Sequence, residues 1–368
     1  MDAAAREILQ NLRNAGYLAY LVGGCVRDTL LGRPIHDWDI TTNAKPEEIA
    51  ACFEKTVLTG ARYGTVIVLL HNSAYEVTTF RTDGAYRDNR RPDQVKFVAS
   101  LQADLARRDF TINAMAMDQY GRLTDPFGGR EDLASGCIRA VGNPMVRFEE
   151  DALRMIRAIR FQAQLGFTIA AETRAAIGRC APMAAAVSAE RVRDELEKIL
   201  CSQCPETVEA LAAFGFLRRF GVRQVPQLRS VKNERLLRWA SLKLAVPELD
   251  LAMLRLDRTT IHCVQAAVDA CRGETLNLPA LYAAAGMRTA EIAAVLCGKE
   301  ELLESLARDG RLVCLQDLAV RGNDLSWLRG PAVGKMLHKL LVAVQNNPDC
   351  NHKEQLLKLA HEIDSSTN

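Results

Sequence analysis

The sequence predicts an α+β protein, with a small mixed sheet in an N-terminal head and an all-helical remainder. Three observations predict it. Strand-like runs are concentrated in about the first 140 residues, where β-branched and alternating patterns are found. From "RFEEDALRMIRAIRFQAQLGF" onward the texture is helical, rich in Ala, Leu and Arg, with short interruptions such as "GVRQVPQ" and "QNNPDCN". The chain has 368 residues, long for one core, so two or more domains are expected.

Taken in order, "MDAAAREILQNLRNAGY" has the pattern of an amphipathic helix and not of a signal peptide. "YLAYLV" is a short apolar run closed by Gly23 and Gly24. "IHDWDIT" alternates, which on a strand places Asp37 and Asp39 on one face and Trp38 and Ile40 on the other, toward a core. "TVIVLL" (65–70) and "AYEVTTF" (74–80) are strands joined by the turn "HNS", and "QVKFVA" (94–99) is a further strand. The polar stretch "FRTDGAYRDNRRPDQVKF" (80–97) is a long hairpin connection, of a kind that forms lids beside sites.

Composition excludes several classes. Apolar residues make up 48% and charged residues 25%, values of a globular protein, and no apolar run approaches a membrane span. The eleven cysteines are scattered, and Cys201-x-x-Cys204 lacks a second pair or a suitably spaced His, so reduced thiols are expected and not a zinc site. Net charge is only +2, yet arginine is clustered: Arg87, Arg90 and Arg91; Arg107 and Arg108; Arg154, Arg157 and Arg160; Arg191 and Arg193. Such stripes bind phosphate without a high overall charge.

The Gly-Gly turn and the D-x-D belong to one chemistry. Two carboxylates on one strand face lie roughly 7 Å apart by Cα, at about 3.3 Å per residue. Both reach one Mg²⁺ or bridge two, and Mg²⁺ completes its shell with water and substrate phosphates. Gly23 and Gly24 let backbone N–H groups approach a triphosphate, and Arg27 adds charge-assisted bonds. Glu76 lies on the opposite strand face from Tyr75 and Val77; it is either a third carboxylate of the cluster or a solvent-facing strand residue.

In "RRDFTINAMAMD" (107–118), Arg108 suits a phosphate, and Asp109 and Asn113 suit a ribose hydroxyl; the alternative is a helix N-terminus capped by Asp109 behind an exposed arginine pair. In "FEEDALRMIRAIRF" (148–161), Asp151, Arg154 and Arg157 fall at i, i+3 and i+6 on one helix stripe, with Arg160 at its edge and Leu153, Ile156 and Ile159 on a core stripe. Asp151 and Arg154 are either an intrahelical ion pair or a base reader. Cytosine and adenine each present an amine donor beside a ring-nitrogen acceptor, which an Asp and an Arg complement. Guanine and uracil present the reverse polarity. "GPAVGKM" (330–336) is similar to a P-loop in outline, but it has one residue too few between its glycines and Met where Ser or Thr is required. It reads as a helix start. "HD" occurs only at His36-Asp37, too little for a phosphohydrolase.

The ordered segments "LVGGCVRD", "HDWDI", "RRDFTINA", "DPFGGREDL", "EDALRMIRAIRF" and "ERVRDELEKIL" resemble the motif series of class II tRNA nucleotidyltransferases, the CCA-adding enzymes of the polymerase β-like superfamily. The resemblance runs through about residues 17 to 200, and the C-terminal stretch is similar to the tail of the bacterial enzymes. It implies a nucleotidyltransferase head (1–140), a neck with the base-reading helix (141–205), a body (206–300) and a tail that holds tRNA (301–368). It also implies Asp37 and Asp39 as metal ligands, and Mg²⁺ as the cofactor. Gly24, Arg27 and Arg108 would bind the nucleotide's phosphates and sugar, and Asp151, Arg154, Arg157 and Arg160 would form the nucleotide-binding set of the neck. The implied reaction is template-independent addition of CCA to a tRNA 3′ end from CTP and ATP in the cytoplasm, away from any membrane, by a monomer or homodimer. Relatives that add only CC typically lack the loop that "RTDGAYRDNRRP" resembles, and its charges, Asp83, Arg87, Asp88, Arg90 and Arg91, are expected to matter more for adding A than for adding C. Addition of A alone stays open. Poly(A) polymerases usually carry more chain before the Gly-Gly motif, and a non-catalytic RNA-binding protein has no need of a D-x-D beside a phosphate turn.

Overall fold

The computed structural model describes residues 2–35, 37–83 and 95–366. Residues 84–92 of the charged loop, with Arg87, Asp88, Arg90 and Arg91, lie outside the described residues, as does His36. The chain divides into two compact units, Met1–Arg219 and Phe220–Asn368.

The first unit opens with α1 (Ala3–Asn14), β1 (Ala19–Val22), α2 (Gly24–Leu30), β2 (Asp39–Thr42) and α3 (Pro46–Ala51). Next come β3 (Thr56–Val57), β4 (Thr65–Leu70), β5 (Ser73–Thr79), β6 (Arg81–Asp83), β7 (Val95–Phe97) and α4 (Leu101–Ala106). A 3₁₀ turn at Thr111–Asn113 precedes β8 (Ala116–Met117), β9 (Leu123–Thr124), α5 (Gly129–Ala134) and β10 (Cys137–Ile138). Then follow α6 (Pro144–Glu150), α7 (Leu153–Leu165), β11 (Thr168–Ile169), α8 (Ala171–Cys180), α9 (Ala189–Leu200) and α10 (Val208–Ala213).

Seven strands make one mixed sheet in the order β3-β4-β5-β2-β1-β8-β9, in which β2 and β5 run parallel. The turn between β4 and β5 is two residues long, His71 and Asn72, both at positive φ (48° and 61°). That is the backbone a tight hairpin requires, and Asn tolerates it. Ile40, Val66, Val68 and Val77 are buried, so strand alternation does point one face into a core.

Two expectations need correction. Strand β2 begins at Asp39, so Asp37 precedes the strand and does not lie on it. The helix stripe through 148–161 is also broken. α6 ends at Glu150, Asp151 is extended (φ −145°, ψ 104°), and α7 starts at Leu153. The cause is local: Asp151 Oδ1 accepts from the Leu153 N–H at 3.0 Å, a turn that Asp side chains form in competition with helix. Leu153, Ile156 and Ile159 are buried, as the core stripe required.

"DPFGGREDL" shapes the site from behind. Asp125 accepts from the N–H groups of Gly129 and Arg130, each at 2.8 Å, and starts α5. Thr111 Oγ1 donates to Asp132 Oδ2 at 2.7 Å. Gly129 is then pressed so close to the Thr111 carbonyl that a Cβ would overlap it and crowd Met115.

The second unit is helical among its described residues: α11 (Arg235–Ala245), α12 (Arg258–Arg272), α13 (Leu278–Cys297), α14 (Glu300–Arg308), α15 (Pro331–Asn346) and α16 (Lys353–Ser365). "GPAVGKM" starts α15, with Pro331 in its first turn. α13 has 20 residues and a mean hydropathy of 1.3 over its most apolar stretch. It is two helices joined at Gly286 (φ 81°, ψ 172°), with Arg288 and Glu291 in the second, and neither half has the length of a membrane span.

Gly129→Ala should therefore destabilise the head by about 1–3 kcal/mol through overpacking. If Asn113 serves a nucleotide as its segment suggests, binding should weaken too, because the displaced turn carries it. Urea denaturation and nucleotide titration of the variant check both. A parent-like midpoint would mean that α5 and the Thr111 turn part without cost.

Candidate active site

A polar cleft of about 540 Å³ lies in the first unit. Gly23, Gly24, Arg27, Asp37, Asp39, Arg108, Asp109, Asn113, Asp151, Arg154, Arg157 and Arg160 all line it, and so do Arg107, Leu153, Phe161 and Arg191. Of the site residues expected from sequence, Glu76 alone does not line the cleft.

Gly23 builds the acidic end. It ends β1 at φ 74°, ψ −134°, a conformation that favours glycine, and caps α2. A Cβ there would lie 3.2 Å from Arg108 Nη1 and 3.4 Å from Asp39 Oδ2, so the missing side chain lets the chain pass this pair. Asp37 is exposed and Asp39 half-buried. Asp39 and Glu76 are register partners on the parallel strands β2 and β5. Burial pushes the Asp39 carboxyl above its ordinary pKa, Arg108 pulls it back, and Asp37 pushes it further up. Burial, then Asp39 and Asp37, push Glu76 up as well. This is a carboxylate group short of positive charge, the environment that suits a bound cation. Among the described residues no group of three His, Cys, Asp or Glu side chains is arranged to hold a metal ion. The donors facing the cleft are Asp37 and Asp39.

The rest of the cleft is cationic and held by carboxylates. Arg27 Nη1 donates to Asn113 Oδ1 at 2.8 Å, its Nε and Nη2 donate to Asp28, and it lies over the Phe161 ring. Arg108 Nη2 donates to Asp104 Oδ2 at 3.3 Å, and its buried Nε has no partner among the described residues. Asp109 does not cap a helix. It accepts from the Phe110 N–H at 2.9 Å, from Asn113 Nδ2 at 3.2 Å and from Arg157 Nε at 2.8 Å. Burial acts to raise its pKa, but Arg157, with Arg154 and Asn113, outweighs this and holds it at about 2.

The neck residues pair otherwise than their spacing suggested. Asp151 and Arg154 are not an intrahelical pair: Asp151 takes Arg191 of α9 in a two-point contact of 3.1 and 2.7 Å. Arg154 Nη1 donates to Glu150 Oε2 at 2.6 Å, and its Nη2 donates to the Arg107 carbonyl at 2.9 Å. Arg160 Nε lies 2.6 Å from Glu195 Oε2, an ion-pair contact without hydrogen-bond alignment, and its guanidinium sits 3.9 Å from the Phe161 ring centroid. Burial, only partly offset by Glu195, lowers the Arg160 pKa to about 10. Arg107 and Arg191 stood among the sequence's arginine clusters, but nothing local singled them out. Leu153 belongs to the core stripe of the sequence, and Phe161 carries no local signal of a place in the cleft. A mixed cleft of this kind accepts a polyanion at its arginines and cations at its acidic end.

Because the Asp109 carboxyl is depressed in the folded state, its pairing stabilises the fold above about pH 4, and this is lost as pH falls toward 2. Asp109→Asn should cost about 2–3 kcal/mol at pH 7, the linkage value of a carboxyl held near 2. The gap between parent and variant should close as pH is lowered through this window. Urea denaturation across a pH series gives the difference, and a pH-independent gap would remove the charge pairing as its cause.

Residues 19–139 match the family model of the poly A polymerase head domain, and residues 166–221 match that of the probable RNA and SrmB-binding site of polymerase A. The chain is 39% identical to the CCA-adding enzyme of Lactiplantibacillus plantarum, over 99% of this chain and 97% of that protein. It is 41% identical to the CCA-adding enzyme of Geobacillus kaustophilus, over 96% of this chain and 95% of that one. The crystal structure of the Bacillus stearothermophilus CCA-adding enzyme in complex with CTP is similar at a TM-score of 0.87 and 36% identity, covering 100% of this chain and 99% of that chain. Full-length identity at this level, with the fold in common, means that the chain belongs to the CCA-adding enzymes, the tRNA nucleotidyltransferases.

Proposed function

We propose that this cleft adds C, C and A to the 3′ end of tRNA from CTP and ATP, with Asp37 and Asp39 holding Mg²⁺ and the protein itself reading the base. The observation that carries this reading is the convergence, in one cleft, of an acidic end at Asp37 and Asp39 with an arginine-lined end that contains Asp151 and Arg154. Enzymes of this family are generally metal-dependent. Two carboxylates fit Mg²⁺, which leaves most of its shell to water and phosphate oxygens. When bound, it lowers the pKa of the tRNA 3′-hydroxyl and offsets charge on the triphosphate and the departing pyrophosphate. Glu76, beside Asp39, is proposed as a third acid of this end.

The chain's own residues do the rest. Gly23 and Gly24 open the backbone to the phosphates, and Arg27 and Arg108 supply charge-assisted bonds to them. Asp109 and Asn113 line the wall proposed to face the ribose, and Arg157 and Arg160 complete the nucleotide-binding set. Asp151 accepts from the exocyclic amine of cytosine or adenine. Its carboxylate has about four acceptor sites, so the contacts from Leu153 and Arg191 leave room for a base. Arg154, held by Glu150 and the Arg107 carbonyl, donates to the ring nitrogen. Uracil and guanine turn both contacts repulsive, so no template is needed. The proposed organisation is a head (1–140), neck (141–205), body (206–300) and tail (301–368), with body and tail holding tRNA through its backbone. The proposed setting is the cytoplasm, where tRNA and nucleoside triphosphates meet.

Asp37→Ala or Asp39→Ala should bring incorporation down to background while tRNA binding persists, scored by sizing tRNA products and by filter binding. Near-normal turnover in both would end the metal assignment. Glu76→Ala should be severely impaired, and an unchanged rate would leave Glu76 a solvent-facing strand residue.

Arg154→Ala and Asp151→Ala should blur base choice more than they weaken phosphate binding. Each loses a charge-assisted bond of about 1.5–3 kcal/mol, or about one to two orders of magnitude in discrimination. Competition of CTP and ATP with UTP and GTP measures this. Parent-like selectivity in both variants would leave the two residues with structural pairing alone.

A further inference from the structure

We propose that Asp104 is a positioning residue for the triphosphate, acting through Arg107 and Arg108; this rests on the phosphate role given to Arg108 above. Asp104 sits in α4, is 0% exposed and does not line the cleft. Its oxygens face elements that build the cleft. Oδ1 accepts from Arg107 Nε at 3.0 Å and Nη2 at 2.8 Å, and from the Arg81 N–H of β6 at 3.2 Å. Oδ2 accepts from Arg108 Nη2 at 3.3 Å, and the Thr41 hydroxyl of β2, which has the Thr78 carbonyl at 3.1 Å as its nearer acceptor, lies 3.4 Å from it.

A carboxylate removed from water is costly unless it is paired and hydrogen-bonded. Here the pairing is with two arginines of the cleft wall, and Arg107 and Arg108 keep the carboxyl below its ordinary pKa in spite of burial. The geometry at Arg108 gives the pairing its purpose. One arm of the guanidinium, Nη2, is on Asp104, while the other, Nη1, reaches the Gly23 turn beside Asp39. The fork is strung between a buried anchor and the phosphate turn. Without the anchor's charge, Arg108 is drawn onto the neighbouring acids, where it neutralises Asp37 and Asp39 and no longer meets a phosphate. Thr41, two residues past Asp39 on the same strand, lies against the anchor and so links its place to the acidic end.

Asp104→Asn keeps the volume but removes the charge and turns one oxygen into a donor facing Arg108. Its test is equilibrium binding of CTP and ATP in EDTA, alongside incorporation assays and thermal melting. The dissociation constants of both nucleotides should rise about tenfold and by equal factors, with the preference over UTP and GTP unchanged. Parent-like binding by the folded variant would overturn the proposal, and so would a loss of base preference as large as the loss of binding. Arg108→Lys is the second variant. It keeps the charge but has one head, which cannot be on Asp104 and at the Gly23 turn together, so it should bind as weakly as Arg108→Ala. Parent-like binding by Arg108→Lys would overturn the proposal even if Asp104→Asn failed to fold. Weak binding by Arg108→Ala with normal binding by the other two would remove only the positioning role. Normal binding by Arg108→Ala would remove the phosphate reading itself.

Discussion

Seven arginines share one cleft, and each has a carboxylate within ion-pair distance. Without these partners the guanidinium groups would repel one another at low dielectric, and the cleft would open or its side chains would scatter into solvent. Asp28 holds Arg27, Asp104 holds Arg107 and Arg108, and Glu150 holds Arg154. Asp109 holds Arg157, Glu195 holds Arg160, and Asp151 holds Arg191. Buried pairs of this kind add little net stability against apolar replacements, because desolvation offsets the attraction. What they supply is placement: a cationic surface whose donors are already aimed when a polyanion arrives.

The pairs also decide which elements stay together. Asp109 to Arg157 joins the turn after α4 to α7, and Asp151 to Arg191 joins the break between α6 and α7 to α9. Arg154 adds a bond to the Arg107 carbonyl. The segment that carries Asp151 and Arg154 is thus fastened to the strand-rich part that carries Asp37 and Asp39. On the proposed function, a small displacement along this line would alter the distance between the base reader and the phosphate site. Cation–ring contacts of Arg27, Arg157 and Arg160 on Phe161 fill the space among these pairs with an apolar plate.

How much of this the sequence reveals depends on the range of the interaction. Alternation was enough for β4 and β5, and two positive-φ residues close their hairpin as "HNS" suggested. The Gly-Gly turn was legible because its signal is local, and both aspartates of the D-x-D line the cleft although Asp37 lies before the strand and not on it. The helix register at 148–161 was misread because an Asp that turns the chain looks, letter by letter, like an Asp on a helix face. The Asp151–Arg191 pair spans 40 positions and the Asp104–Thr41 contact spans 63, so no local pattern exposes either. Asp104 reads as an ordinary first-turn acid of a short helix, and only burial shows that it faces inward. The pairing of Asp39 with Glu76 is a parallel register, which strand patterns alone leave open.

The carboxylates of the cleft region fall into two groups. Asp104 and Asp109 are paired with arginine and held below their ordinary pKa, while burial pushes Asp39 and Glu76 above it, with Asp37 adding to both and Asp39 adding to Glu76. The first group is saturated by the protein's own cations. The second is not, and it gains most from a cation brought from outside. Arg108 stands where the two meet, with one arm on a saturated carboxylate and the other near an unsaturated one. On the proposed function, a triphosphate laid across this boundary would share its charge between fixed guanidinium groups and a cation at the acidic end. That division would suit a phosphorus at which attack and departure both create negative charge, because positive charge could be supplied on each side.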